Sequence, residues 1–256
     1  MFELLRKFFL LLVLFVVVMG SYLTARNSTD WREPLWVQMY PINADNRQAT
    51  ARYIDSLSVK NFASIEDFMR READRYGVEI QRPVKIIYGN ELNEIPPVLP
   101  DNPGVLNIML WSLKLRWWAG SVTSDQPGPQ PDIRMFLVYH DPEASPVLKH
   151  SMGLEKGMIG VINVFASPTQ AQTNNFIIAH EMLHTLGATD KYAPGSNLPV
   201  FPQGFAEPDK QPLYPQTRAE LMGGRIPLSQ AEATIPSSLK QAVIGPATAK
   251  EIRWIN

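Results

Sequence analysis

The segment from His180 to Asp190, with the sequence HEMLHTLGATD, constrains the fold of this chain more than any other. Residues four apart on an α-helix lie on one face, one turn above the other, so His180 and His184 can direct two imidazoles at one ion. Glu181 follows His180 directly, within reach of a water bound to that ion. Two neutral imidazoles beside a carboxylate are what a zinc hydrolase needs. The segment therefore predicts a metal-binding helix.

The surrounding residues favour a metal site over a chance occurrence of the motif. The chain has only four histidines, and two of them stand at this spacing around a glutamate. The stretch 176–186 is heavily apolar, as expected of a buried helix. Gly187 can end that helix in a left-handed conformation. The chain can then turn back and supply Asp190 as a third ligand, which leaves a fourth position open.

HEMLHTLGATD resembles the metzincin pattern HExxHxxGxx[H/D], and an aspartate at the last position is similar to the snapalysin-type group. The resemblance covers these eleven residues, and before them only a compatible order of strands and helices. It implies a zincin-like α/β (α+β) fold with a mixed sheet, Zn²⁺ bound by His180, His184 and Asp190, and Glu181 as the catalytic general base. It also implies a methionine turn beneath the metal. Met222, in the sequence LMGG, is the candidate for that turn, although its flanking residues differ from the better-known versions.

Glu207 is an alternative third ligand, because gluzincin-type enzymes take a glutamate from a later helix. Pro208 follows it directly, and a residue before proline is pushed out of helical geometry. Asp190 is therefore preferred.

The segment 191–216 is a long proline-rich loop, and it is interpreted either as a wall of the cleft or as a surface cover. Within it, Tyr192 and Tyr214 are candidates for stabilising an oxyanion, and the sequence selects neither. His140 and His150 have no partner at metal-ligand spacing, so both are interpreted as ordinary loop or surface histidines.

The remaining pattern predicts an α/β sheet, and its strand–helix–strand start favours a parallel pair. Within the segment 105–118 a helix is favoured over a strand, because Asn102-Pro103 supplies a start signal. Trp117 and Trp118 are expected in the core rather than at a membrane interface. Strands are predicted over 35–40, 83–89, 132–139 and 158–165, and helices over part of 45–57, 64–77 with Ser64 as N-cap, 105–118, about 170–186, part of 229–243 and 246–254.

The amino-terminal segment 8–19 is unbroken apolar and follows Arg6 and Lys7. A basic start followed by such a run is typical of a secretory signal or a membrane anchor. The residues before Ala25 make a poor cleavage site, so an uncleaved signal-anchor is preferred. The positive-inside rule then places the rest of the chain outside the membrane, in the periplasm or at the cell surface. Cleavage would instead give a secreted protein. Residues 1–30 are thus predicted as the membrane segment and 31–256 as a metallopeptidase domain.

Composition excludes several classes of function. The net charge of −1, without blocks of Lys or Arg, argues against nucleic acid as a partner. The absence of cysteine excludes disulfides, cysteine metal sites and a thiol nucleophile.

Together these features predict a membrane-anchored zinc metallopeptidase that hydrolyses protein or peptide substrates outside the cytoplasm. Two alternatives stay open: a non-catalytic zinc module that binds a partner, and a zinc hydrolase of a non-peptide amide bond. Glu181 argues against the first, since a purely structural site has no need of that carboxylate.

Overall fold

The computed structural model describes residues 30–100, 104–124, 128–155 and 157–256. The predicted membrane segment lies outside these ranges apart from its last residue, Asp30, so that prediction is not tested. Within the described ranges, no helix combines the length and the apolar character needed to cross a bilayer.

The centre of the fold is a five-stranded mixed sheet with the order β2-β1-β3-β5-β4. Four strands run parallel, and the short edge strand β4 runs antiparallel to β5. The parallel pairing of β1 with β2 confirms the expectation from the strand–helix–strand order. The strands are β1 (Leu35–Asn43), β2 (Val84–Tyr88), β3 (Ile133–His140), β4 (Met152–Leu154) and β5 (Ile159–Phe165).

Helices cover both faces of the sheet, because its strands alternate apolar side chains between two cores. Val37 and Met39 of β1 belong to the larger core, whereas Tyr40 and Ile42 belong to the smaller one. The smaller core is covered by one helix, α3 (Val105–Thr123). The larger core receives side chains from four helices, α1 (Gln48–Asp55), α2 (Ala63–Arg75), α4 (Ala171–Thr185) and α5 (Pro246–Glu251).

Strand β1 continues through Pro41, where the sequence predicted its end. Pro41 pairs with Leu137 of β3, and its carbonyl accepts a hydrogen bond from the Leu92 N–H at 2.9 Å. The N–H and C=O of one residue face the same side of a strand, and on that side β2 has already ended at Tyr88. The missing N–H of proline therefore breaks no ladder bond.

The prediction of Ser64 as the N-cap of α2 is wrong, because the helix begins one residue earlier. Ser58 instead forms a capping box with Asn61 at a 3₁₀ turn, Val59–Phe62, that leads into α2. The Ser64 hydroxyl accepts a hydrogen bond from the Asn175 side chain at 2.8 Å, which links α2 to α4.

The carboxyl-terminal part contains less helix than predicted. The segment 229–243 holds strands β8 (Ala233–Thr234) and β9 (Ala242–Val243) and only a 3₁₀ turn, Leu239–Gln241. β8 pairs with β7 (Ile226–Pro227), and β9 pairs with β6 (Ala219–Glu220). The Arg71 guanidinium of α2 donates to the carbonyls of Leu239 and Ala242, both at 3.2 Å, and so satisfies carbonyls outside a helix.

Candidate metal centre

Helix α4 presents His180, Glu181 and His184, and it is held on both sides. A 3₁₀ turn beginning at Pro168 leads into it from β5. The Asn174 side chain donates to the Phe165 carbonyl of β5 at 2.9 Å, and Asn175 donates to the Asn61 carbonyl at 2.7 Å. Because both buried amides are bonded to neighbouring elements, the helix cannot rotate without breaking them.

A Schellman turn ends α4 and reverses the chain, as the position of Gly187 predicted. Gly187 has a φ of +95°. Its N–H donates to the His184 carbonyl at 3.1 Å, and the Ala188 N–H donates to the Leu183 carbonyl at 3.0 Å. The turn directs the following residues back along the helix, and Asp190 thereby lies beside the two histidines.

The three predicted ligands converge on one point. The Nε2 atoms of His180 and His184 are 3.2 Å apart, and the Asp190 Oδ1 lies 3.2 Å from the first and 3.1 Å from the second. Ligand bonds of 2.0–2.1 Å around a tetrahedral ion place neighbouring donor atoms about 3.3–3.4 Å apart. The triangle of donors therefore has the spacing of one face of a tetrahedral zinc site, and a fourth ligand would have to come from elsewhere.

Backbone carbonyls set the tautomer of both imidazoles. The His180 Nδ1 lies 2.9 Å from the Leu221 carbonyl, and the His184 Nδ1 lies 2.8 Å from the Ala188 carbonyl. A carbonyl only accepts, so each Nδ1 carries the proton when the ring is neutral, and each Nε2 keeps a lone pair. Two lone pairs facing each other at this distance repel, and a cation between them removes the repulsion. The two carbonyls orient the rings so that both Nε2 atoms face the same point, as metal sites require.

The segment that carries Met222 lies directly against the site. Met222 is fully buried in a 3₁₀ turn, Leu221–Gly223, and its carbonyl accepts a hydrogen bond from the Lys191 N–H at 2.8 Å. Glu220 holds this turn by accepting hydrogen bonds from Gly223 N–H at 2.8 Å, Gly245 N–H at 2.9 Å and the Thr248 hydroxyl at 2.7 Å. Through the Met222 and Leu221 carbonyls, this turn contacts Lys191, which follows Asp190, and His180.

Asp190 is positioned by its two neighbours in the chain. The Lys191 ammonium is buried and lies 2.7 Å from the Glu251 carboxylate. It also donates to the Thr189 carbonyl at 2.7 Å, and the Thr189 N–H and hydroxyl donate to Glu251 at 3.0 and 2.7 Å. Glu251 thus anchors the residues before and after the third ligand. Sequence reasoning missed this pair, because Lys191 and Glu251 are 60 residues apart and share no motif.

Hydrogen bonds within the donor cluster shift two pKa values in opposite directions. Burial acts to raise the pKa of Asp190, but the hydrogen bonds that the Nε2 atoms of His180 and His184 donate when their rings are protonated outweigh it and leave that pKa well below its usual value. Burial acts to lower the pKa of His180, but the Asp190 contact and the charge of Glu181 raise it overall. The cluster therefore attracts positive charge, and a divalent cation can supply it.

Glu181 lies beside the donors with an unused oxygen. Its side chain is only 7% exposed, and Oε2 has no hydrogen-bond partner among the described residues. Burial, opposed by the nearby His180 and His184, raises the pKa of Glu181 overall. A buried carboxylate with a free acceptor and an elevated proton affinity is suited to accept a proton from a neighbouring water.

Strand β4 packs directly against the part of α4 that carries Glu181 and His184. The sequence did not predict this strand. The Gly153 N–H donates to the Glu181 carboxylate. A β-carbon built on Gly153 would lie 2.2 Å from the Glu181 carbonyl oxygen and 2.7 Å from the His184 Cβ. Only a residue without a side chain allows this approach of strand to helix. The three-residue strand has no alternating pattern that sequence reasoning could have detected.

Of the two candidate tyrosines, Tyr192 lies at the site. Its ring packs on His180 with centroids 6.2 Å apart, and it hydrogen-bonds to Asp190. Burial and the Asp190 charge raise the pKa of Tyr192 to about 12. Tyr214 packs against Phe205 in the proline-rich loop instead.

The other sequence candidates serve elsewhere. The Glu207 carboxylate accepts hydrogen bonds from the Thr217 N–H at 2.9 Å and from its hydroxyl at 2.8 Å. The His140 Nε2 lies 3.0 Å from the Asn163 side-chain oxygen. Among the described residues, only His180, His184 and Asp190 form a group with metal-ligand spacing.

Comparison with known proteins assigns no family to the chain. No family model matches the sequence, and no curated protein matches it either. Function is therefore inferred from the residues of the site.

Proposed function

We propose that the protein is a zinc-dependent peptidase of the metzincin type, with a zincin-like fold, in which His180, His184 and Asp190 hold Zn²⁺. The observation that carries the proposal is the triangle of three donor atoms, 3.1–3.2 Å apart, beside the buried carboxylate of Glu181. Two imidazoles with lone pairs on Nε2 and one carboxylate make a donor set that suits zinc, and the open fourth position is typical of catalytic sites.

In the mechanism, bound zinc would act as a Lewis acid that polarises the substrate carbonyl and acidifies a water molecule. Glu181 accepts a proton from that water through Oε2. The water oxygen bonds to the carbonyl carbon, the carbon–nitrogen bond breaks, and Glu181 returns the proton to the leaving amine. Gly153, through its N–H, holds the Glu181 carboxylate in place during both transfers.

The proposal includes a location. The apolar segment 8–19 after Arg6 and Lys7 supports an uncleaved signal-anchor within residues 1–30, with the domain 31–256 outside the cytoplasm. Protein or peptide substrates at that side of the membrane would then reach the site.

The test replaces Glu181 with glutamine and compares it with a matched control, Glu207→Gln. We expect Glu181→Gln to keep stoichiometric zinc and to lose peptide hydrolysis, by about 10²–10⁴-fold if the general base is its main contribution. Asp190→Ala should lose zinc as well as activity. Glu207→Gln should change neither, since the described residues that its carboxylate contacts, Thr217 and Arg218, lie outside the donor cluster. Zinc content is measured by elemental analysis. Hydrolysis is measured with a denatured protein and a peptide library as substrates.

Hydrolysis by Glu181→Gln at the wild-type rate would refute the mechanism, and loss of zinc from Glu207→Gln would refute the ligand set. Wild-type protein that holds zinc but cleaves no peptide would instead favour one of the two alternatives, a partner-binding zinc module or a hydrolase of a non-peptide amide. The unpartnered Oε2 of Glu181 argues against the first of these.

A further inference from the structure

Helix α3 exposes an unusual number of large apolar side chains. Among the described residues, sixteen such side chains are exposed, and seven of them lie on this one helix, which makes the exposure a concentrated patch rather than a scatter. We call this patch the α3 apolar face. Its members, with their exposed fractions, are Val105 (76%), Leu106 (66%), Ile108 (43%), Met109 (59%), Leu110 (56%), Leu113 (56%) and Trp117 (75%).

The patch does not arise from poor packing of the helix. Trp111, Leu115 and Trp118 on the opposite side are buried against the smaller core of the sheet. Leu106, Leu110, Leu113 and Trp117 recur at helical spacing and form a separate stripe. The expectation of a buried pair of tryptophans thus holds for Trp118 and is wrong for Trp117. A helix with two apolar stripes needs a second apolar surface besides the core.

The charges on α3 restrict what this surface can be. The helix contains Lys114 and Arg116 and no aspartate or glutamate. Lys114 is exposed beside the stripe, and Arg116 reaches Ser112 at 2.9 Å. Long cationic side chains next to an apolar stripe with an exposed tryptophan suit the boundary between lipid headgroups and acyl chains.

Asp30, the first described residue, lies in the same surface region as Arg116 of α3. Asp30 lines a surface depression together with Pro129 and Met158. Gly157, the residue before Met158, lies against the Arg116 side chain, because a β-carbon on Gly157 would be 3.3 Å from the Arg116 Cδ. Ten residues, 20–29, separate Asp30 from the apolar segment 8–19. They span at most about 36 Å, and α3 is about 28 Å long, so the membrane anchor of the proposed function, on which this step rests, would keep the whole helix within reach of the bilayer.

We propose that the α3 apolar face lies in the headgroup region of an anionic lipid bilayer. Two other occupants fit less well. A second copy of α3 would bring Lys114 and Arg116 against their own counterparts with no acidic residue on either helix. The segment 8–19 carries no charge and is preceded by Arg6 and Lys7, so it offers these cations no partner either. Anionic lipid supplies both the apolar surface and the negative charge.

The test uses single cysteines in the full-length chain, which has no cysteine of its own. Met109→Cys and Leu113→Cys place an environment-sensitive fluorophore on the α3 apolar face. Val59→Cys is the matched control, because it is an exposed apolar residue of the 3₁₀ turn on the α2 side of the sheet. Each labelled protein is reconstituted in vesicles of equal parts phosphatidylcholine and phosphatidylglycerol, with or without lipids that carry a nitroxide high on the acyl chain.

An apolar face at the interface lies about 5–10 Å into the boundary, so we expect the nitroxide lipids to remove more than about half of the emission at positions 109 and 113 and none at 59. Lys114→Glu should weaken quenching at both positions in these vesicles. Absence of quenching at 109 and 113 would overturn the proposal, and blue-shifted but unquenched emission would identify a protein occupant instead. Quenching should be the same after zinc is chelated and in Glu181→Gln. Failure of the zinc proposal therefore leaves this result unaffected.

Discussion

Replacing Glu251 with glutamine tests whether the third ligand is held in place from a distance. Glu251 pairs with Lys191 at 2.7 Å, and the Lys191 side chain is 4% exposed whereas that of Glu251 is 29% exposed. Glutamine keeps the size of the side chain but removes its charge, so the buried ammonium loses its carboxylate and is left with neutral acceptors such as the carbonyl and hydroxyl of Thr189.

Breaking a buried ion pair by neutralising one partner costs about 3–5 kcal/mol. Residue 251 keeps some contact with water, and Thr189 still accepts hydrogen bonds from the ammonium. We therefore expect the free energy of unfolding to fall by about 3 kcal/mol, the lower end of that range. For a domain of this size that corresponds to a melting temperature lower by about 6–12 °C. Because Thr189 and Lys191 flank Asp190, we also expect zinc affinity to fall by about 10–100-fold, as for other groups that orient a ligand.

Thermal and denaturant unfolding of the metal-free protein measure the first effect, and competition with a zinc chelator measures the second. Glu232→Gln, an exposed carboxylate, is the control and should stay within about 0.5 kcal/mol of wild type. The double variant with Lys191→Met should recover part of the stability, since it leaves no unpaired charge. Unfolding of Glu251→Gln within about 1 kcal/mol of wild type, together with unchanged zinc affinity, would refute the reasoning.

Two further predictions follow from the contacts of the site. Gly153→Ala puts a methyl group 2.2 Å from the Glu181 carbonyl oxygen. We expect this overpacking to lower the free energy of unfolding by about 1–3 kcal/mol and to weaken zinc binding. Wild-type values in unfolding and zinc titration would contradict the close approach of β4. Burial acts to raise the pKa of Glu251, but the hydrogen bonds from Lys191 and Thr189 lower it overall. The ionised Glu251 therefore stabilises the fold at pH values above its ordinary pKa of 4.5, and this stabilisation is lost as the pH falls through its lowered pKa. Unfolding of the metal-free protein followed from neutral pH into acid should therefore show an acid limb below 4.5 that is shallower in Glu251→Gln, and identical limbs in the two proteins would count against it.

Periodicity and turn chemistry predicted the parts of the fold that depend on neighbouring residues. Runs of apolar residues located the four parallel strands, the start signal before Val105 favoured the helix that forms there, and Gly187 predicted the end of α4. The spacing of His180 and His184 and the position of Asp190 predicted the three donors that the structure brings together.

Contacts between distant residues escaped prediction, because each depends on the assembled fold. Glu251 has an ordinary sequence context on α5, and only the packing of that helix brings it to Lys191. Leu221 contributes a carbonyl, a group that every residue carries, so nothing in its side chain marks it as the partner of His180. The segment 229–243 forms strands β8 and β9 instead of the expected helix, and the carbonyls of Leu239 and Ala242 accept hydrogen bonds from Arg71 of another element.

The sheet separates α3 from α4, which has a consequence for the choice of substrate. With α3 on one face and α4 on the other, the two helix axes lie about 20 Å apart, since a helix with its side chains is about 10 Å across. If α3 rests on the bilayer, the donor cluster stands at about that height above the lipid. A protein anchored in the same membrane would then need a stalk of about six extended residues before its first cleavable bond. Height above the surface would select among membrane-bound substrates before any side chain is recognised.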